Sequence, residues 1–193
     1  TWKRSDGTAY ELPIRESTAE IAWRVPQNSE LINQTGMTAD SEGHPYVAIY
    51  WRDQGDSVPQ YRLVWHDGKE WRMTSVGNRR TPFSLSGGGT KKIPIARPKI
   101  VSDGRAAFYI FRDEERGSKV SMAYTPELGV KEWSVSDLTD TQVDSWEPSI
   151  DGNLWNSRRR LDIFVEQVFQ GDGEKVAEDV AFSTPVNVIS VEF

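Results

Sequence analysis

The sequence contains no cysteine, only two histidines and no long apolar run. The first absence excludes disulfide scaffolds and thiolate zinc sites, and leaves both cytosol and periplasm open. The second leaves too few imidazoles for a metal centre. His44 and His66 each read as exposed turn residues, and no acidic loop has calcium-binding spacing, so neither metal nor cofactor is expected. The third excludes a membrane-spanning helix, which needs ~20 consecutive apolar residues. No leader segment is visible. Thr1 is not a translation start, so the sequence reads as a mature form or a fragment. Basic charge is also short. The 23 Lys and Arg face 29 Asp and Glu, for a net charge of −6 and a pI near 5.1. Nucleic acid is therefore not an expected partner, because phosphate binding needs a basic face. An anionic sugar is not excluded, since clustered Arg makes a local positive site on an acidic protein.

What the chain does have is repetition and tryptophan. Its 193 residues suffice for one moderate domain, and they include eight Trp. Trp anchors cores and also stacks on sugar rings, whose C–H faces are apolar. Tyr50-Trp51-Arg52-Asp53 returns as Ile110-Phe111-Arg112-Asp113, and Lys69-Glu70-Trp71 returns as Lys131-Glu132-Trp133. Arg52 and Arg112 stand 60 residues apart, Trp71 and Trp133 62. A weaker third copy runs from Glu147-Pro148 through 161–167 to 180–193. Each copy reads as four short strands rich in β-branched and aromatic residues, separated by Gly, Asp, Asn and Pro turns. In the first copy the strands are expected at 33–39, 46–52, 61–65 and 71–75. In the second they are expected at 97–101, 106–112, 120–124 and 132–135. In the third they are expected at 147–150, 161–167, 180–183 and 188–193, with a turn at 151–153.

Four-stranded antiparallel units of ~50–60 residues, the first two with a Trp on the outer strand, indicate an all-β fold of the β-propeller kind. A β-sandwich is the alternative, since it too has short, evenly spaced strands. The expected organisation is a single propeller segment. Residues 1–30 end a preceding blade and link onward, and blades follow at 31–80, 81–140 and 141–193. Propellers close with about 4–8 blades. Three blades and a piece therefore imply part of a larger ring, completed by missing N-terminal blades or by a second copy of the chain.

In such a blade one rim gathers the starts of strands one and three and the ends of strands two and four. The residues costly to keep map there: Asn33, Arg97 and Glu147 at strand-one starts, Arg52, Arg112 and Gln167 at strand-two ends, and Tyr61-Arg62 at a strand-three start. Arg grips carboxylates and sulfates through a planar fork. Tyr61 or Glu147 supplies acid–base chemistry beside a sugar ring. The candidate substrate-binding residues are thus Arg52, Arg62, Arg97, Arg112, Asn33 and Gln167, and the weaker catalytic candidates are Tyr61 and Glu147. The recurring Arg-Asp pairs also read as stitches between blades, and Arg158-Arg159-Arg160 reads as a solvated loop. Gly87-Gly88-Gly89-Thr90-Lys91 lacks the spacing and strand–helix context of a phosphate loop.

Residues 45–62, with Pro-Tyr-Val-Ala-Ile-Tyr-Trp-Arg at one end and Pro-Gln-Tyr-Arg at the other, Phe-Ser-Leu-Ser-Gly-Gly-Gly-Thr-Lys-Lys-Ile-Pro-Ile-Ala-Arg-Pro at 83–98, Arg-Asp-Glu-Glu-Arg-Gly-Ser-Lys-Val at 112–120 and Trp146-Glu147-Pro148 resemble the bacterial BNR-repeat propellers related to ulvan lyases. The resemblance spans most of the chain from Leu31 onward. It implies a seven-bladed ring, secreted or periplasmic, acting on anionic, uronic-acid-containing polysaccharides by β-elimination, with catalytic histidines upstream of these blades. Related propellers include rhamnose-releasing hydrolases, so a rhamnosidase- or sialidase-like glycoside hydrolase with Glu147 or Asp113 as acid is a second expectation. A non-catalytic sugar-binding or assembly module is a third. The Ser-x-Asp-x-Gly-x-Thr-Trp pattern of sialidase repeats does not occur intact.

Overall fold

A computed structural model describes residues 1–31, 35–87, 89, 91–172 and 184–192. The fold is built from antiparallel meanders. Strands β1 (Gly36–Ala39), β2 (Pro45–Trp51), β3 (Gln60–His66) and β4 (Trp71–Ser75) form the first sheet in that order. Strands β5 (Lys99–Ser102), β6 (Ala107–Asp113), β7 (Lys119–Thr125) and β8 (Ser134–Asp137) repeat the plan in the second. A third sheet has the order β11-β10-β9, from β9 (Ser149–Ile150), β10 (Leu161–Val165) and β11 (Asn187–Val191).

Alternation along each strand decides which neighbour it meets, because successive side chains leave opposite faces. Tyr46, Ala48 and Tyr50 of β2 join Tyr61, Leu63 and Trp65 of β3 against Ala107, Tyr109 and Phe111 of β6. The other face of β6, Phe108 and Ile110, meets Leu161, Ile163 and Val165 of β10. β6 is therefore buried along its whole length. The far face of the first sheet, Ile49, Trp51 and Val64, is covered by Val25 and Leu31 of the N-terminal segment. Each such large apolar side chain stabilises the fold by about 1.5–3 kcal/mol. The first strands of the two sheets, β1 and β5, lie backbone to backbone: a Cβ on Gly36 would stand 2.3 Å from the Pro98 carbonyl oxygen. Only glycine permits that approach.

Two tyrosines rivet the first two sheets reciprocally. The Tyr61 hydroxyl donates to the Arg112 carbonyl (2.7 Å) and accepts from the Ala96 amide (3.1 Å). The Tyr109 hydroxyl donates back to the Ile49 carbonyl (2.9 Å). Burial pushes both hydroxyls well above the ordinary 10.

The third copy departs from expectation. Helix α1 (Gly152–Arg158) replaces the expected turn. Asp151 caps it, accepting from the Leu154 amide (2.9 Å), and Trp155 anchors it in the core between the second and third sheets. Seven residues are too few for the apolar period to show. The outer strand expected at 188–193 is observed as Asn187–Val191 and pairs directly with β10. The strand expected at 180–183 lies outside the described residues. The N-terminal stretch, expected to close an earlier blade, contains an isolated Lys3–Ala9 bridge and turns. His66 also differs from expectation. It is only 4% exposed, lying edge-on to Trp71 with its Nδ1 accepting from the Gly68 amide.

Candidate functional site

The meander topology brings the starts of β1, β5 and β9 and the ends of β2, β6 and β10 to one rim. The expected site residues separate there into two groups. One faces inward. Arg112 is 1% exposed and has no carboxylate partner among the described residues. Its guanidinium donates to the carbonyls of Trp146 (3.0 Å), Ile93 (3.1 Å) and Ile95 (3.1 Å), so it ties the second and third sheets together. Arg62 is buried with its guanidinium stacked over Trp51 (4.7 Å) and bonded to the Asp53 carboxylate and to Ser75 (3.2 Å). The Tyr61 hydroxyl is enclosed between backbone groups of the second sheet. Neither Arg of the two Arg-Asp motifs pairs with its own neighbour, and the Asp53 pair stays within the first sheet. Asp53 receives Arg62, and Asp113 receives Arg79.

The other group reaches solvent. Arg97, just before β5, meets Glu147, just before β9. The Glu147 carboxylate accepts from the Arg97 amide (2.8 Å) and from its Nε (3.2 Å), and each side chain keeps about a third of its surface exposed. Arg52 is held at the outer part of the rim by the carbonyls of Asp56 (2.7 Å) and Asn28 (2.6 Å). Gln167 donates to Asp144 (2.7 Å) and lines a separate groove of about 530 Å³ with Thr141, Glu166 and Thr184. Asn33 lies outside the described residues. Arg97 and Glu147 are therefore brought together, and Arg52 and Gln167 are not part of that contact.

Sequence reasoning passed over Arg79. Its guanidinium forms a buried ion pair with Asp113, at 5% and 3% side-chain exposure. Burial pushes the Asp113 carboxyl up, against the pull of Arg79 and of the Glu115 amide. The pair floors a cleft of about 200 Å³ between the first two sheets, with Tyr61, Asn78, Glu115 and Arg116 on its walls. The doublet Arg79-Arg80 was the visible signal, but its partner is 34 residues away in sequence.

Chemically, the exposed rim supplies a guanidinium, a carboxylate and an amide. That set recognises hydroxyls and anions. Among the described residues no three or more His, Asp or Glu converge as metal ligands, and no helix is long and apolar enough to cross a membrane.

Comparison with known proteins agrees with the all-β, repeat-built architecture. Residues 1–79 match a family described as BNR repeat-containing family member. The match covers the N-terminal segment and the whole first sheet. No curated protein matches the chain. The fold is of the all-β class, built from antiparallel sheets, and its first 79 residues are similar to a BNR-repeat family.

Proposed function

We propose that the chain is part of a carbohydrate-active β-propeller and that its inner rim binds an anionic saccharide where Arg97 and Glu147 meet. The carrying observation is that this pair, alone among the expected site residues that are described, combines mutual contact with partial exposure at the starts of β5 and β9. Arg97 suits a carboxylate or sulfate, and Glu147 suits ring hydroxyls. The BNR-repeat match over residues 1–79 supports a carbohydrate-directed reading.

The specific reaction proposed is β-elimination on a uronic-acid-containing polysaccharide. A base removes the C5 proton, a cation neutralises the adjacent carboxylate, and the C4–O bond breaks to leave a C4=C5 double bond, the C4–O electron pair going to the departing glycosidic oxygen, which takes up a proton from solvent. Arg97 fits the cation role. Tyr61 does not fit the base, because its hydroxyl is spent on backbone groups and burial holds it protonated. The base is therefore assigned to residues outside this chain.

The test is calorimetric titration with galacturonate oligosaccharides and, as a neutral control, galactose oligosaccharides. Selective binding of the uronates, weakened about tenfold or more by Arg97→Ala, is expected, which is the scale of one charge-assisted contact. Equal binding of both sugars, or an Arg97→Ala variant that binds like wild type, refutes the reading. With the complete ring, ultraviolet absorbance of an unsaturated uronate marks the lyase, and new reducing ends without it mark a hydrolase.

A further inference from the structure

The connection from β4 to β5 carries an unusual charge balance for an acidic protein. Between Asn78 and Arg97 there is no Asp or Glu, while Arg79, Arg80, Lys91, Lys92 and Arg97 all fall inside it. Its described residues contain no helix or named strand, so its amides need partners from elsewhere. Carboxylates from four other parts of the molecule provide them. Glu115, in the 3-10 turn after β6, accepts from the amides of Arg80 (2.8 Å) and Thr81. Glu30 of the N-terminal segment accepts from Leu85 (2.7 Å). Asp172, beyond β10, accepts from Lys92 (3.0 Å), and Glu147 accepts from Arg97 (2.8 Å). These bonds span 34 to 80 residues of sequence.

We infer that Glu30, Glu115, Asp172 and Glu147 are positioning residues, which clamp the amides of this connection and hold Arg80, Lys91 and Lys92 as a preformed surface for carboxylate or sulfate groups. A bond from an amide to an ionised acceptor is about twice as strong as a neutral one, so each clamp is firm; Glu147 also takes the Arg97 Nε (3.2 Å) and Glu115 lies 3.8 Å from Arg79, which leaves Arg80, Lys91 and Lys92 as the cations presented. Arg80 and Lys92 remain exposed, and neither they nor Lys91 form an ion pair among the described residues. Holding donors in place before the ligand arrives removes the ordering cost from binding. Glu115 carries the charge this requires. Burial works to raise its carboxyl, but the Arg80 and Thr81 amides outweigh it and hold the group below the ordinary 4.5. The identity of the ligand as a saccharide rests on the proposed function, whereas the clamp does not.

The test compares Glu30→Ala and Glu115→Ala with Glu30→Gln and Glu115→Gln. Amide hydrogen exchange is read at Leu85, Arg80 and Thr81, and affinity is read for inorganic sulfate and for galacturonate oligosaccharides. The Ala variants are expected to speed exchange at the clamped amides and weaken both anions about tenfold, while Gln, which keeps the acceptor oxygen, restores both to within about threefold. Arg80→Gln checks the cations independently of folding: it is expected to weaken sulfate with exchange at Leu85 unchanged. Unchanged exchange in the Ala variants overturns the inference. So does faster exchange with unchanged anion affinity, or a wild type that binds neither anion. Clamp-dependent sulfate binding with no preference for uronate over neutral sugar refutes the saccharide reading and leaves the clamp standing.

Discussion

Replacing Tyr61 by phenylalanine removes one oxygen from the contact between the first two sheets. That hydroxyl is buried, donates to the Arg112 carbonyl at 2.7 Å and accepts from the Ala96 amide at 3.1 Å. The Ala96 amide also donates to the Arg112 carbonyl at 2.9 Å, so neither backbone group is stranded when the hydroxyl goes. The loss is therefore that of ordinary net hydrogen bonds, about 1–2 kcal/mol, and not the larger penalty for an orphaned polar group. For a chain of this size that corresponds to a fall in Tm of about 2–8 °C. Urea denaturation is the assay, and the midpoint should drop with an unchanged slope. Alkaline titration supplies a second sign. A folded pKa above the unfolded value of 10 gives stability that is full below pH 10 and is lost as pH rises toward the folded pKa. Tyr61→Phe should shallow that alkaline loss. Tyr109→Phe should behave alike, and the two should not be additive, since the rings touch edge to face at 5.7 Å. A Tyr61→Phe variant of wild-type stability that has lost saccharide binding or turnover would refute this reasoning and return the hydroxyl to the chemistry.

Gly36→Ala places a methyl 2.3 Å from the Pro98 carbonyl oxygen, and since backbone lies on both sides, β1 and β5 must part. A loss of about 2–3 kcal/mol in chemical denaturation is expected, the scale of overpacking in a tight core. Asp151→Ala removes the cap of α1 and should cost about 1 kcal/mol, with Asp151→Asn close to wild type in thermal melts. At the acid end, burial raises the Asp137 carboxyl, but hydrogen bonds from Arg116 and Ser121 outweigh it and hold it below the ordinary 3.8. Its contribution is present above the unfolded pKa and is lost as pH falls through the folded one. Asp137→Asn should therefore flatten the acid limb of the stability profile measured by denaturation.

Much of the sheet structure was legible because alternation is local. Ala107, Tyr109 and Phe111 face one neighbour and Phe108 and Ile110 the other, and that spacing is written in the order of residues. Strand ends were less legible, since pairing sets them. The strand expected at 97–101 runs from Lys99 to Ser102, and the one expected at 132–135 runs from Ser134 to Asp137. The candidate site was legible in part. Arg97 and Glu147 were named from their places at strand starts, and the fold joins them. Arg62 and Arg112 were named by the same argument, yet both serve as buried cross-links. Residue type alone cannot separate the two uses of a guanidinium, because carbonyls collected from distant turns satisfy it as fully as a ligand would.

By itself, then, the order of residues determined the repeat, the antiparallel meander and the alternation of faces. These follow from backbone sterics and side-chain period, which act over a few residues. Only the tertiary structure decided which of those charges remain open to a ligand, that Asp113 pairs with Arg79, and that an acid-free connection is held by four remote carboxylates. Those outcomes depend on groups 34 to 80 residues apart meeting at hydrogen-bond distance, which only the packing of one sheet on the next can arrange.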